Sequence, residues 1–515
     1  MRTANPHVST PPSPYVPDDH DTPPPAAPST APPSRFAAAG AVLVPAAVML
    51  GIGMWGIDRG TMWRDESATF QIARRSVPEI WRLLGELDAV HGLYYLLVHA
   101  ALAVRADEVM LRLPSVLGAT CTAGLIAAIG CRLARPRVGL WAGLLYAATP
   151  FASFYAQEGR SYALVAAGAA LATWCLVNAV ERDSFRGWAG YAAAVAGTAL
   201  LHEFALLMLA AHGATVLSAR SRPGAWRRWA AAAGTAVVPV VPLAVLSSRQ
   251  GDQISWIQEP GAEELRLLAV QFAGPDARVL TAAAVLAGLA VLWPLRRTGT
   301  VGLTAVALPL VVLPVAALFT LSLVKPLFVD RYLLFAFAGV PLLVAAGLER
   351  SLGALRAAPW RPVVTAAGVA AVAAAFWCQL PFHQQERGKD GRIDDLRQVA
   401  AYVAAKTRPN DAVVFVPSYQ RHIFLSYDQE FAGRRDIALK TSAAASGTFY
   451  GEELDAPGIG KRIGAERRVW VVAWPSAWGE QWFDQDPKIT NLRKGFSLVR
   501  STKLKSGLVQ LYVRE

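Results

Sequence analysis

The feature that most constrains this chain is a succession of long apolar runs joined by short links that carry arginine. The first run, residues 36–57, is almost uncharged and is long enough to cross the hydrocarbon core of a bilayer. Hydrophobic residues make up 54% of the 515-residue chain and charged residues only 17%, which is too little polar surface for a soluble protein of this size. The sequence therefore predicts a polytopic α-helical membrane protein.

The apolar runs predict about eleven membrane spans, with twelve or thirteen as the alternative count. The short apolar segment 91–104 is not counted, because the arginine-rich links then all fall on one side of the membrane. The positive-inside rule makes that side cytoplasmic. These arginines also account for the net charge of +12, so nucleic acid is not expected as a partner. The predicted spans cover roughly residues 36–57, 112–131, 138–155, 161–180, 188–201, 204–219, 229–246, 279–295, 300–323, 329–348 and 362–380.

Composition divides the chain into three parts. Residues 1–34 contain eleven prolines and predict a disordered cytoplasmic tail. Residues 35–382 form the predicted multi-span membrane domain. Residues 383–515 are less apolar and predict a small soluble α/β domain on the extracytoplasmic side. Its predicted elements are a helix at 393–406 and strands at 412–416, 469–472 and 507–513.

Acidic side chains, histidines and arginines collect at the predicted external ends of the spans. Two adjacent carboxylates, Asp65 and Glu66, follow the first span, and the links 157–162, 202–203 and 330–332 carry further polar residues. Such groups near a bilayer are costly unless they are paired or functional. A carboxylate can accept the proton of an attacking hydroxyl, arginines can hold a departing phosphate, and aromatic rings can stack against a sugar. This mixture favours sugar transfer at the external membrane face.

The residues in these links resemble the GT-C superfamily of glycosyltransferases, and within it the bacterial protein-mannosyltransferase-like and aminoarabinose-transferase-like branch. The likeness covers about residues 36 to 350 and depends on the order and spacing of five short stretches. They are Trp63-Arg64-Asp65-Glu66, His91-Gly92-Leu93-Tyr94-Tyr95, Arg112-Leu113-Pro114-Ser115, Gln157-Glu158-Gly159-Arg160-Ser161-Tyr162 and Asp330-Arg331-Tyr332.

The resemblance implies an inverting transfer of a mannose- or arabinose-like sugar from a polyprenyl-phosphate donor to an acceptor hydroxyl. It assigns the general base to Asp65, with Glu66 orienting that base or the acceptor. Arg160 and Arg331 are the candidates for the phosphate. The predicted substrate-binding residues are Arg64, His91, Tyr94, Glu158, Arg160, Tyr162, His202, Glu203, Asp330, Arg331 and Tyr332.

The expected partners are the lipid-linked donor, membrane lipids and a protein, glycan or lipid acceptor. The expected location is the bacterial plasma membrane, with the N-terminus in the cytoplasm and the C-terminal domain outside. The sequence has no Cys/His spacing of the zinc type and implies no required cofactor or metal site. Because branches of the superfamily differ in metal use, a divalent metal stays open.

Other interpretations of these residues are structural. Asp65 and Glu66 could cap the helix that follows, and Glu158 and Arg160 could form a local ion pair. His202 and Glu203 could be a short polar turn, and Asp330 and Arg331 could be a snorkelling pair at the membrane interface. Among other functions, a transporter or flippase of a glycolipid or envelope precursor is the main alternative, and a membrane scaffold is a third. Transporters place charges at mid-span and often contain internal repeats, whereas here the charges sit at span ends.

Overall fold

Helices dominate the chain up to residue 388, because backbone in hydrocarbon must satisfy its hydrogen bonds within itself. The computed structural model describes residues 35–219, 223–251, 255–355, 361–388, 391–477 and 479–515, so the predicted tail of residues 1–34 lies outside the described residues. The helices of this part are α1 (Arg35–Met54), α2 (Arg64–Ala73), α3 (Val77–Glu86), α4 (Gly92–Leu102), α5 (Glu108–Leu133), α6 (Pro136–Ala148), α7 (Pro150–Ala156), α8 (Tyr162–Arg182), α9 (Phe185–Leu201), α10 (Met208–Ser218), α11 (Ala225–Val237), α12 (Val241–Arg249), α13 (Ala262–Ala273), α14 (Ala277–Leu292), α15 (Leu303–Ser322), α16 (Gly339–Ser351) and α17 (Arg361–Glu386).

Within the described residues, seven helices are long and apolar enough to cross a membrane, and α13 with α14, bent by 89°, would make an eighth. The predicted polytopic helical fold is confirmed, but the count of about eleven spans is higher than this. The other predicted spans coincide with shorter helices. The span predicted at 138–155 divides between α6 and α7, where Pro150 cannot donate a backbone hydrogen bond. Those predicted at 188–201 and 204–219 are α9, of 17 residues, and a 3₁₀ turn followed by α10.

The segment 91–104 forms α4, which has 11 residues. At 1.5 Å per residue this helix is about 16 Å long, roughly half of the hydrocarbon thickness. It packs with α2 and with strands of the C-terminal domain in one hydrophobic cluster. Its length therefore agrees with the prediction that this segment does not cross.

Contacts between the links sort the helix ends into two groups. At one end, which we call the arginine end, Arg132 contacts Glu181, Arg137 contacts Glu349 and Arg228 contacts Asp183. These residues belong to links that were predicted to be cytoplasmic. The opposite end, which we call the site end, carries α2 and the links 157–161 and 202–203. The structure thus keeps the two sets of links apart, while their sidedness stays a prediction.

The C-terminal residues form a five-stranded mixed sheet with helices on both faces. The strand order is β2-β1-β5-β7-β6, in which β2, β1 and β5 are parallel and β7 and β6 are antiparallel. The predicted strands coincide with β1, β5 and β7, whereas β6 was missed because most of its residues are exposed and polar. The elements are α18 (Leu396–Lys406), β1 (Ala412–Val416), α19 (Arg421–Ser426), β2 (Arg435–Asp436), β3 (Leu439–Thr441), α20 (Ala443–Ser446), β4 (Glu452–Glu453), α21 (Ala456–Gly464), β5 (Arg468–Ala473), α22 (Gln481–Gln485), α23 (Pro487–Leu492), β6 (Phe496–Leu504) and β7 (Gly507–Arg514).

This α/β unit and the first link share one hydrophobic core. Phe70 and Ile72 of α2 are buried in the same cluster as Phe415 and Ile423. The hydroxyl of Tyr427 accepts a hydrogen bond of 3.1 Å from the backbone N–H of Met62. Helix α2 is therefore enclosed between the membrane helices and the C-terminal domain, and both position its two acidic residues.

Candidate active site

The acidic pair lies in the first turn of α2, where the helix dipole favours negative charge. Successive residues of a helix point about 100° apart, so the two carboxylates face different surroundings. The side chain of Glu66 is completely buried, whereas that of Asp65 is 31% exposed. Two neighbouring acids thus have different environments.

Glu66 is held by Arg112 of α5. Both carboxylate oxygens accept hydrogen bonds of 2.8 Å from this guanidinium, and the N–H of Gly159 donates a third, also of 2.8 Å. Burial alone would raise the pKa of Glu66, but the charge and hydrogen bonds of Arg112 outweigh it and lower that pKa. Arg112 also donates to the carbonyls of Ile57, Gly60 and Thr61, so the ion pair ties the first link to the bundle.

Asp65 faces Arg331, whose guanidinium lies 3.9 Å from the carboxylate. That guanidinium donates a hydrogen bond of 3.2 Å to the hydroxyl of Tyr162 and also lies over the ring of Trp256. Asp65 therefore keeps an accessible carboxylate beside a fixed cation, which is the arrangement that a general base near a departing anion needs.

A cavity of about 450 Å³ opens beside Arg331. Glu158 and Arg392 line it together with Trp63 and Asp330. Residues of α7, α13 and α17 form most of the remaining wall, which is apolar and aromatic apart from Gln271, Gln385 and Glu386. Glu158 is buried, and neither of its carboxylate oxygens has a hydrogen-bond partner among the described residues. Burial raises the pKa of this carboxyl to about 8, against the opposing charges of Arg392 and Arg331.

Arg392 supplies a second cation to this cavity. Its side chain is largely buried, one terminal nitrogen donates to the carbonyl of Gln157 at 2.6 Å, and the guanidinium lies 4.2 Å from the centroid of the Phe154 ring. Its other terminal nitrogen is buried without a partner in the described part of the chain. The cavity thus combines two guanidinium groups with polar atoms that a ligand can satisfy.

Two histidines, His91 and His202, form a cluster next to Tyr332. Arg160 contacts the imidazole of His91, the rings of His91 and His202 lie 5.7 Å apart, and His202 packs against Tyr332 at 4.8 Å. Burial, followed by the charges of Arg160 and Arg331, lowers the pKa of His91 well below its usual value. Burial does the same for His202, so both imidazoles are neutral at pH 7.

A second cavity, of about 330 Å³, borders this histidine pair. Glu203 and Lys325 line it together with His202 and Tyr332. The carboxylate of Glu203 accepts a hydrogen bond of 2.7 Å from the hydroxyl of Ser247. His202 and Tyr332 therefore line this second cavity, whereas the neighbouring Arg331 lines the first.

The remaining predicted residues take less central places. Arg64 points towards the C-terminal domain, where its backbone and side-chain N–H groups donate to Asp394 at 3.2 and 3.1 Å. Tyr94 of α4 is completely buried. Asp330 lines the larger cavity and accepts a hydrogen bond of 2.7 Å from Gln271.

Sequence reasoning assigned no role to two arginines that the structure places at the site. Arg112 belongs to a stretch that carried the family resemblance, so its signal was present although the residue was not assigned. Arg392 follows the last span in a link without any recognised pattern, and only the fold brings it to the cavity. Among the described residues, no group of three or more His, Cys, Asp or Glu side chains could hold a metal ion.

Comparison with known proteins adds a family match over part of the chain and a fold. Residues 92–247 match the family model described as dolichyl-phosphate-mannose-protein mannosyltransferase. The sequence matches no curated protein.

Two solved structures are similar over nearly the whole chain. One is ArnT from Cupriavidus metallidurans in the apo state, with 15% identity and a TM-score of 0.63 over 92% of this chain and 98% of ArnT. The other is an oligosaccharyltransferase from Archaeoglobus fulgidus, with 10% identity and a TM-score of 0.51 over 94% of this chain and 75% of that one.

Residues 92–247 are thus similar to a family of mannosyltransferases, and the likeness to ArnT shows that the chain has the same fold as that protein. Both agree with the resemblance that the five sequence stretches carry.

Proposed function

We propose that this GT-C-fold glycosyltransferase moves a mannose- or arabinose-like sugar from a polyprenyl phosphate to an acceptor hydroxyl on a protein, glycan or lipid. The observation that carries the proposal is the partly exposed carboxylate of Asp65, 3.9 Å from Arg331, which lines a cavity together with a second arginine. We place the site end and the C-terminal domain outside a bacterial plasma membrane, in agreement with the arginine-rich links at the other end.

The proposed reaction is a single displacement. Asp65 accepts the proton of the acceptor hydroxyl while the acceptor oxygen forms a bond to the anomeric carbon. The bond from that carbon to the phosphate oxygen breaks, and the electron pair leaves with the lipid phosphate. Attack opposite to the leaving group inverts the anomeric centre.

Arg331 and Arg392 would stabilise the negative charge that develops on the phosphate. Both line the larger cavity, and guanidinium groups suit phosphate because they donate parallel hydrogen bonds. A neutral Glu158 could add a hydrogen bond, because its carboxyl lacks a partner among the described residues. The apolar wall from Phe151, Val270 and Phe382 suits the first isoprene units.

A lipid-linked donor also agrees with the ArnT likeness. The structure of ArnT from Cupriavidus metallidurans bound to undecaprenyl phosphate has a TM-score of 0.61 and 14% identity with this chain. We infer that the larger cavity takes the phosphate and first isoprene units of a similar carrier.

The test is to incubate the purified protein in lipid nanodiscs with polyprenyl-phosphate mannose and polyprenyl-phosphate arabinose, and to measure the released lipid phosphate. Asp65→Asn should lower the turnover about 10²- to 10⁴-fold, the usual contribution of a positioned general base. Asp58→Asn is the matched control, because it removes an exposed carboxylate from the same link. Wild-type turnover in Asp65→Asn would rule out this base.

A further inference from the structure

The C-terminal sheet has a crevice that the proposed transfer does not use. It lies where the parallel strands β1 and β5 end, next to the pairing of Val416 with Ala473. The open space measures about 470 Å³ and is lined by Pro417, Tyr419, Trp474, Ser476, Glu480 and Trp482.

The topology of the sheet explains why a crevice forms there. After β1 the chain turns towards α19, whose Ile423 is buried with Phe415 on the face that covers α2. After β5 it turns towards α22 and α23, whose Phe483 and Ile489 are buried on the opposite face. Two adjacent parallel strands whose connections diverge to opposite faces leave an opening at their carboxyl ends, the place where open α/β sheets bind ligands.

The lining of the crevice selects the kind of ligand. Tyr419 and Trp474 meet edge to face with ring centroids 6.0 Å apart, and Trp482 is 42% exposed. Aromatic faces of this kind bind ligands that have an apolar face and a polar edge. The carboxylate of Glu480 and the hydroxyl of Ser476 supply the polar groups.

A phosphorylated ligand fits poorly in the same place. The turns after the two strands contain Pro417 and Pro475, which have no N–H to offer to a phosphate. Among the described lining residues there is a carboxylate and no lysine or arginine. These features favour a neutral, polyhydroxylated ligand over a nucleotide.

The crevice adjoins the acidic pair through one residue. The guanidinium of Arg64 lies 4.9 Å from the centroid of the Trp474 ring, and Asp65 is the next residue of the chain. Tyr450 is also close to the crevice, because its ring is 6.4 Å from that of Tyr419. Burial, and after it the negative charge of Asp65, raises the pKa of Tyr450 to about 12.

We propose that the crevice at the carboxyl ends of β1 and β5 is a subsite for a neutral saccharide acceptor, which it presents to Asp65. The occupant stacks on Trp482 and Trp474 and directs its free end past Arg64. The acceptor role rests on the proposed transferase function, whereas saccharide binding by the crevice does not.

Binding is measured on the full-length Asp65→Asn protein in nanodiscs without a donor, so that turnover does not interfere. The probes are fluorescently labelled mannotriose and arabinotriose, followed by anisotropy, with labelled uridine diphosphate as the third probe. Trp482→Ala should weaken trisaccharide binding at least tenfold, because it removes the exposed wall of the crevice. Trp81→Ala is the matched control: that tryptophan is 71% exposed on α3 and lies outside the crevice, so binding should not change.

Equal trisaccharide affinity in Trp482→Ala and Trp81→Ala would overturn the proposal, and so would binding of uridine diphosphate alone. The transfer assay separates the two proposals. If lipid phosphate is released but the apparent KM for the trisaccharide is the same in Trp482→Ala as in the wild type, the acceptor subsite is wrong and the transferase stands. If no donor is consumed although Trp482→Ala weakens binding, the transferase is wrong and the saccharide crevice stands.

Discussion

The two ends of the helical bundle differ in how a buried glutamate is paired. At the arginine end, acids meet arginines directly: Arg137 donates hydrogen bonds of 2.7 and 2.8 Å to the two oxygens of the buried Glu349. At the site end, Glu158 is equally buried, yet its carboxylate has no hydrogen-bond partner among the described residues. The same residue type is thus paired at one end and unpaired at the other.

This difference distinguishes ionisable side chains that stabilise the fold from ionisable side chains that are available to bind a ligand. A buried polar group without a partner costs free energy of folding, so a chain keeps it mainly where a substrate supplies the missing contacts. The pair of Glu66 and Arg112 shows that the site end also contains closed ion pairs. The distinction therefore applies to individual residues and not to a whole end of the bundle, and substitutions can test it.

The largest effect on folding is expected from Glu66→Gln. The substitution leaves the buried guanidinium of Arg112 without its counter-charge, a change that usually costs about 3–5 kcal/mol. The protein should lose thermal stability in detergent, as followed by the temperature at which the monodisperse chromatographic peak disappears. A variant that keeps its stability and loses turnover would instead give Glu66 the catalytic role that the resemblance implies.

A smaller effect should distinguish the two ends directly. Glu349→Gln weakens hydrogen bonds to Arg137 and should cost about 1.5–3 kcal/mol, because hydrogen bonds to charged groups contribute this much. Glu158→Gln breaks no hydrogen bond in the described structure and should leave the unfolding temperature unchanged or raised. The donor KM at pH 7 should stay near the wild-type value in both variants, because glutamine preserves the neutral state and the hydrogen-bond donor of Glu158. Equal losses of stability in both variants would contradict the distinction.

The smallest effect is a dependence on pH. Because the pKa of Glu158 is raised to about 8, this carboxyl is neutral at pH 7 and becomes negative as the pH rises through that value. A new negative charge in the cavity repels the donor phosphate, so the donor KM should rise several-fold between pH 7 and pH 9. Glu158→Gln should remove the rise. A rise of the same size in that variant would assign the titration to another group.

Much of the fold followed from hydrophobic runs, because the length and spacing of apolar segments are local properties of a sequence. Breaks such as the one at Pro150 and the 89° bend between α13 and α14 depend on packing, and they explain why fewer helices than predicted are long enough to cross. In the C-terminal domain, β6 escaped prediction because an exposed edge strand carries a weak apolar pattern.

The sequence could predict which links form the site, but not the roles of the individual residues in them. The predicted topology placed Asp65, Arg331 and Tyr332 on the same face of the membrane, and the structure brings Asp65 to within 3.9 Å of Arg331. The division of roles between Asp65 and Glu66 was not predictable, because it depends on Arg112, 46 residues further along the chain. Arg392 and the aromatic crevice reach the site through contacts between residues far apart in sequence, which a local pattern does not record.

The shared core of the first link and the C-terminal domain has a consequence for biosynthesis. The hydrogen bond from Met62 to Tyr427 joins residues 365 positions apart. At the usual rate of translation, about 20 to 70 s pass between the synthesis of these two partners. During that time the C-terminal domain does not yet cover the apolar side chains of Phe70 and Ile72 on α2, the helix that carries the acidic pair. Residues translated late thus complete the surroundings of carboxylates translated early, and a chain truncated before Tyr427 would retain its membrane helices without a finished site.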